Sequence, residues 1–541
     1  MFDSGMICAP QPEAVEAGAD ILRAGGNAVD AALACAFVQT VVDPFMCGIA
    51  GFGSAAVHTA AQGSTEYLDF HARAPAAAHP EMWLDRLVGE TRDGFGFLLS
   101  DRANELGYQS IAVPGALKAW GELHRRHGSL PWAALIAPAI EVCRRGWLVR
   151  PYVETFGRRG VDLGRVANIE RVRFSASGRD LYCRPDGTLK QIGDAVINSD
   201  YATVLEHIAR EGAQALHEGE LAEAVAQDMQ ANGGLITLQD LRDYPLREQA
   251  PLTGSYRGWQ VHSNHAPGGG PLLIQMLNLL ECFDLAALGH NSVDTIRIVA
   301  EAQKYATADK DAWLGDPDFF DMPLDRFLDK AVAVERAAAV RAGHKVTVPR
   351  LASTTPESPD TTHISVVDHQ GNAVSMTHSL GLPSGVITDG LGFMYNGCMA
   401  PFDPRPGRAG SIAPGKARFS SICPSLLFRD GRLAMVIGAP GATQISMAVL
   451  EVILNVLDFG MSMTEAVCAP RFSATSDIID LSYKIPWRTV KALQALGYET
   501  ERDAGAHGFA AVHGIRVMAD GRLDGGADPG HDGTWERVSA S

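Results

Sequence analysis

The stretch "SPDTTHISVVDHQGNAVSMTHS", residues 358–379, decides how the chain is read. "DHQGN" supplies turn residues, and alternating β-branched runs flank it, which predicts a β-hairpin. With the turn centred on Gln370, Thr361 faces Ser379, His363 faces Thr377 and Ser365 faces Ser375. Side chains alternate faces with period two. One face therefore carries Thr361, His363, Ser365, Ser375, Thr377 and Ser379, and the other carries Ile364, Val366, Val374 and Met376. Two readings fit this pattern. The plain one is an amphipathic edge hairpin whose hydroxyls face water. The sharper one is an N-terminal nucleophile. A threonine hydroxyl is a weak nucleophile until a base takes its proton. A cut before Thr361 would free its own α-amine, whose ordinary pKa of about 7.7–8.0 suits that task. The Pro/Ser/Thr-rich connection at 343–360, just upstream, suits such a cut.

Working outward, the texture changes at this connection. Residues 11–43 read as two helices: "PEAVEAGADILRAGG" ends in a Gly25-Gly26 C-cap signal, and "NAVDAALACAFVQTVVDP" opens on an Asn cap. "GGGPLLIQMLNLLE" is a glycine-rich turn feeding an apolar helix, and 292–342 is largely helical. After Thr361 come alternating strands and glycine turns, such as "SLLFRDGRLAMVIGAP". Helices and antiparallel strands arranged this way predict an α+β fold, not a doubly wound parallel sheet.

Composition narrows the function classes. Of 541 residues, 46% are hydrophobic and 20% charged, the profile of a globular protein. The formal charge is −17 and no basic stripe appears, so a nucleic-acid partner is not expected. Nine scattered cysteines without a CxxC pair argue against a disulfide framework or a zinc site. "HSNH" at 262–265 lacks a third ligand or an HExxH pattern, so ordinary loop histidines and no metal are expected. "GGG" at 268–270 has no following lysine and is not a phosphate loop; no cofactor is called for. The opening "MFDSGMICAPQPEAVEAG" has no basic and apolar leader, and no apolar run is long enough to span a bilayer, so a cytoplasmic protein without a membrane partner is expected.

"DTTHISVVDHQGNAVSMTHSLG" resembles the processing site of the gamma-glutamyltranspeptidase (glutathione hydrolase) family, which includes related cephalosporin acylases. The likeness continues through "AGADILRAGGNAVDAALA", "VVDPFMCGIAGFG", "PGKARFSSICPSLLF", "GAPGATQISMAVLEVILNVLDFG" and "GGADPGHDG", in order along nearly the whole chain. The resemblance implies a four-layer αββα sandwich of the N-terminal-nucleophile hydrolase type. It implies self-cleavage between Asp360 and Thr361, giving a large subunit, 1–360, and a small one, 361–541, that remain one catalytic unit. A homodimer of such heterodimers is left open.

The resemblance also assigns residues. Thr361 falls on the nucleophile, and Ser379 falls where the family has a supporting threonine. Gly441 and Ala442 fall on the paired glycines whose N–H groups form the oxyanion hole, with Ala in place of the second glycine. Read alone, "PGA" is a plain strand-to-helix turn. Ser420 and Ser421 fall on the serine pair that holds the substrate α-carboxylate; read alone they are a cap or turn. The family's carboxylate-binding arginine is His71 here, with Arg73 two residues on as a substitute. Histidine cannot make the bidentate fork of an arginine. The positions that hold the glutamyl α-ammonium are Gly381, Cys398 and Pro401, none of them a carboxylate. The loop "PRPGRAGSIAPGKARF" carries Arg405, Arg408, Lys416 and Arg418, either a solvated basic loop or a lure for an anionic substrate.

These assignments imply an amidohydrolase/acyltransferase working through an ester on Thr361. The expected substrate is a small, carboxylate-bearing amide without the glutamyl amino group. Two alternatives stay open: a true γ-glutamyl hydrolase acting on glutathione-like substrates, and an unprocessed relative with a binding role.

Overall fold

The computed structural model describes residues 2–158, 165–351, 361–503 and 508–539. Asp360 lies outside them. The strands that build the core are β1 (Ser4–Pro10), β2 (Phe52–Thr59), β3 (Ser64–Phe70), β4 (Arg247–Gln249), β5 (Leu252–Tyr256) and β6 (Trp259–Ser263), followed by β7 (Thr362–Val367), β8 (Ala373–Ser379), β9 (Ser425–Arg429), β10 (Arg432–Gly438), β11 (His513–Val517), β12 (Leu523–Ala527) and β13 (Gly533–Ser539). They form a seven-stranded sheet, β13-β1-β7-β8-β2-β3-β4, and a six-stranded sheet, β12-β11-β10-β9-β6-β5. Every pairing in both is antiparallel.

The hairpin has the register its pattern predicts, with His363 opposite Thr377 and Ser365 opposite Ser375. Its turn is held by the Asp368 carboxylate, which accepts from the Gln370 and Asn372 N–H groups at 2.9 Å each. Gly371 supplies the positive φ of 87° that the reversal needs. The second Asp368 oxygen accepts from the N–H of Ala28, tying the turn to the head of the helix Ala28–Val42.

The edge-hairpin reading is corrected by the sheet order. β7 and β8 lie inside the seven-stranded sheet, and every residue of both is buried. Ile364, Val366, Val374 and Met376 pack outward into a layer of helices that includes Pro12–Arg23 and Ala28–Val42. The latter helix is buried along its whole length and is capped by Asn27 and Asp30 in a reciprocal capping box, a device typically stabilising by about 1 kcal/mol. The opposite helical layer, with Gly270–Leu280, Val293–Trp313 and Ile445–Leu457, covers the six-stranded sheet. The molecule is thus an α+β sandwich of four layers, αββα.

The hydroxyl face is the inner face between the sheets. At one end this layer is apolar, with Met6, Val367, Ala373, Leu426 and Val436. Further along it is polar. The His363 ring joins Thr377 (Nδ1 to Oγ1, 2.8 Å) to Ser365 (Nε2 to Oγ, 3.0 Å), and Ser375 donates to the Ile437 carbonyl of the facing sheet at 2.9 Å. The row is therefore tied together within its own sheet by His363 and joined to the facing sheet by Ser375 and by Ser365, which donates to the His513 carbonyl. At its far end Thr361, with Ser379 beside it, reaches a cavity.

Strands before residue 360 are more numerous than the sequence suggests: β1 to β6 all precede it. β1 is buried on both faces, so it shows no alternation to read. In the sheet it sits between β7 and the last strand, β13, so segments from before and after residue 360 interleave. Among the described residues no helix is long and apolar enough to cross a membrane. All nine cysteines are free thiols.

Candidate active site

Thr361 stands one residue before β7, at the head of an inner strand, and is 3% exposed. Its Oγ1 lies 3.2 Å from Ser379 Oγ across the hairpin. Ser379 Oγ also accepts from the Gly381 N–H at 2.7 Å, which orients the serine hydroxyl beside Thr361. The next threonine, Thr362, faces the helical layer, where its Oγ1 accepts from Gln39 Nε2 at 3.0 Å. The two adjacent threonines therefore have separate surroundings.

Among the described residues, the inner-layer histidines His363, His378 and His513 are not suited to serve as base. Burial, with His513 and His378 nearby, holds His363 well below the ordinary imidazole range. Burial likewise pushes His378 and His513 down to about 3. All three are buried and neutral at neutral pH, and a general base works best with a pKa near the working pH.

The turn after β10 brings Gly441 and Ala442 toward the same place. A Cβ on Gly441 would stand 2.1 Å from the Ala510 Cβ, so only glycine fits. Ala442 has a φ of 50°, in the left-handed region. That conformation costs an alanine roughly 1–2 kcal/mol. Its methyl packs among Phe95, Leu382 and Ala400, and burying a carbon of that size returns about 0.8 kcal/mol. Alanine thus keeps the backbone shape a glycine would adopt more easily. Among the described residues neither the Gly441 nor the Ala442 N–H donates to a protein acceptor.

Thr361, Ser420, Ser421, Ala442 and Thr443 line one small cavity with Phe52, Phe95, Gly381, Arg418 and Phe419. Its free volume is about 10 Å³, room for about one water. It abuts a larger cleft of about 450 Å³, with which it shares Gly94, Phe95 and Phe419. Pro349, Arg350 and Leu351 line that cleft, so the chain leading to residue 361 runs along it as far as it is described.

Of the four residues proposed for carboxylate binding, Ser420 and Ser421 line the cavity, whereas His71 and Arg73 are not in its wall. His71 lies behind the Phe52 ring, 5.7 Å between centroids, and its Nδ1 is 2.7 Å from Asp69 Oδ2. Arg73 turns the other way, donating to the Gly415 carbonyl at 2.9 Å with Asp316 at 3.6 Å. The strand ends at Phe70, so period-two alternation no longer sets the direction of Arg73. Pro401 lines the larger cleft, while Gly381 and Cys398 adjoin the small cavity.

The basic loop divides into separate environments. Arg405 forks onto Asp403 at 2.7 and 2.8 Å, Lys416 donates to the Ala409 and Ser411 carbonyls, and Arg408 is exposed. Arg418 alone among these four lines the Thr361 cavity. His262 and His265 are far from metal-site geometry: His262 packs on Phe428, and His265 bonds the Ala250 carbonyl. The described residues hold no cluster of three or more His, Cys, Asp or Glu that could bind a metal.

Sequence reading missed the aromatic walls, Phe52 and Phe95. No motif flags them, although Phe52 pairs with Ser379 in the sheet. Ser379→Ala is expected to slow maturation or turnover by about five- to thirtyfold, because it removes the hydrogen bond to Thr361 and the one from the Gly381 N–H that orients it, at roughly 1 kcal/mol each. The melting temperature should fall only slightly. Unchanged rates for both steps would remove Ser379 from the site.

Two facing antiparallel sheets between helical layers, with a threonine at the head of an inner strand, are the fold of an N-terminal-nucleophile hydrolase. The chain belongs to the gamma-glutamyltranspeptidase family, whose model matches residues 14–538. It is similar to the acylase ACY 1 proenzyme of Pseudomonas sp. strain V22, at 39% identity covering 99% of this chain and 94% of that one. It is 32% identical to the glutathione hydrolase proenzyme of Escherichia coli K12, covering 97% and 90%. The solved cephalosporin acylase from Bacillus halodurans superposes with a TM-score of 0.86 at 27% identity, covering 99% and 96%. The chain is accordingly an amide hydrolase/acyltransferase of this family.

Proposed function

We propose that this protein is a self-processing amidohydrolase in which Thr361 is first the cleavage site and then the nucleophile. Cleavage after Asp360 divides the chain into 1–360 and 361–541 and frees the Thr361 amine. The observation that carries the reading is the Thr361–Ser379 hydroxyl pair, buried at the head of β7, near the Gly441 and Ala442 N–H groups, which have no acceptor among the described residues. The lowered histidines leave the α-amine as the base. Subunits made this way stay joined through the β1–β7, β1–β13, β2–β8 and β6–β9 ladders.

In the first half-reaction the amine takes the Thr361 hydroxyl proton as Oγ1 attacks the amide carbonyl carbon. The carbonyl oxygen becomes an oxyanion facing the Gly441 and Ala442 N–H groups, the kind of donor pair that is often the largest electrostatic contribution in acyl transfer. The C–N bond breaks, the amine product leaves with the proton, and an ester remains on Thr361. Water, deprotonated by the same amine, then releases the acid. Ser379 shares a hydrogen bond with the Thr361 hydroxyl and steadies it.

The substrate we infer is an amide whose acyl part bears a carboxylate and no α-amino group. Support comes from Gly381, Cys398 and Pro401, which offer no carboxylate for an ammonium, and from relatives named as acylases. The relatives named glutathione hydrolases keep a γ-glutamyl substrate as the competing reading. The test is a small chain that starts at Thr361 and gains the acyl group during turnover. A turning-over enzyme whose small chain never carries the acyl group would refute it.

A further inference from the structure

Arg418 is 2% exposed and lines the cavity of Thr361, yet no carboxylate stands within ion-pair distance of it among the described residues. Its partners are neutral. Nε donates to the Phe419 carbonyl at 2.8 Å, and Nη1 lies 3.6 Å from the Cys398 sulfur. The guanidinium sits over the Phe52 ring at 4.7 Å and near the Phe95 ring at 5.5 Å. Cys398 does not balance the charge: burial pushes its thiol up to about 11, and it donates to the Leu380 carbonyl. Ring faces offset part of the lost hydration, but a buried cation without an anion is a costly arrangement that a ligand can complete.

The position of this cation matters as much as its lack of a partner. A Cβ built on Gly381 would meet Arg418 Nη1 at 2.5 Å and Cys398 Sγ at 2.9 Å. The guanidinium therefore fills the space that a side chain at 381 would need. By resemblance, 381 and 398 are where the family places groups that hold a glutamyl ammonium. The ordinary carboxylate anchor, meanwhile, is His71, shut behind Phe52. The charge of the subsite is inverted.

Building on the acyl-threonine reading above, we propose that Arg418 is the specificity-determining residue of the acyl pocket. It pairs with a carboxylate carried by the acyl group and repels an ammonium in the same place. The chemical class is the half-amide of a short α,ω-dicarboxylic acid. Phe95 stands beside the guanidinium and lines both the small cavity and the larger cleft, from which the acyl chain would enter.

The experiment compares kcat/KM for glutaryl-p-nitroanilide and valeryl-p-nitroanilide, which differ in the terminal carboxylate, using matured wild type, Arg418→Met and Arg418→Lys. Wild type is expected to favour glutaryl by about a hundredfold, the size of a charge-assisted hydrogen-bonded contact. Arg418→Met should shrink that ratio to below about tenfold, and Arg418→Lys should keep part of it. An undiminished ratio in Arg418→Met overturns the proposal. Competitive inhibition of the wild type covers the case in which Arg418→Met does not mature. Glutarate should bind at least about tenfold more tightly than valerate, and equal binding overturns the proposal. Either failure, with the Thr361 ester still observed, leaves the acyl-threonine reading intact and removes only Arg418.

Discussion

Thr361→Ala is expected to remain one uncut chain of 541 residues and to lose at least about 10⁴-fold in kcat, because no other group can take over the nucleophile's role. Cleavage and turnover draw on the same hydroxyl, so both should vanish together. Folding should survive. The lost hydrogen bond to Ser379 amounts to about 0.5–1.5 kcal/mol. The strand itself is fixed by its ladders to β1 and β8 and by Ile364 and Val366 in the core. Thr361→Ser should recover part of both activities, since it restores the hydroxyl. The measurements are a denaturing gel, a thermal melt and p-nitroanilide turnover. An uncut but fully active Thr361→Ala protein would show that the nucleophile lies elsewhere.

The second large effect concerns charge at the acyl group. Wild-type enzyme should turn over glutaryl-p-nitroanilide at least about a hundredfold faster, in kcat/KM, than γ-glutamyl-p-nitroanilide. The two substrates differ only in the α-amino group. Among the described residues of this cavity an ammonium meets Gly381, the Cys398 thiol and a buried guanidinium, with no anion to replace its water. The acidic groups of the neighbouring cleft are already engaged: Arg405 forks Asp403, Lys310 and Arg350 pair with Asp311, and Arg350 also stands 3.7 Å from Glu90. An unpaired buried charge commonly costs several kcal/mol, and each 1.36 kcal/mol is tenfold in rate. Faster turnover of the glutamyl compound would mean that an ammonium site exists elsewhere in the cleft, and the inferred substrate class would fall.

The hairpin register was legible because period-two alternation and a turn centred on Gln370 leave little freedom, and the structure pairs the same residues. The helix starting at Ala28 was legible from its Asn27 cap. What the hydroxyl face looks at was not legible. A row of Thr, Ser and His reads as solvent-facing until a second sheet, contributed largely by residues after 425, is laid over it. The cavity lining was half legible. Thr361, Ser379, Ser420, Ser421 and Ala442 gather at one place, though they are separated by long stretches of chain. Arg418 read as one cation of a basic loop, because texture shows charge but not which side chain turns inward. Arg73 misled for the opposite reason: strand alternation was extended past Phe70, where the strand ends.

The account's central claim is that Thr361 becomes an N-terminal nucleophile. The most direct test is the intact mass and N-terminal sequence of the small chain, read before and during rapid-quench turnover of glutaryl-p-nitroanilide. The predicted result is a chain that begins TTHISVVD and transiently gains one glutaryl group, located on Thr361 and labile to hydroxylamine as an ester. A fully active enzyme that stays a single chain, or an acyl group located on any residue other than Thr361, would contradict it.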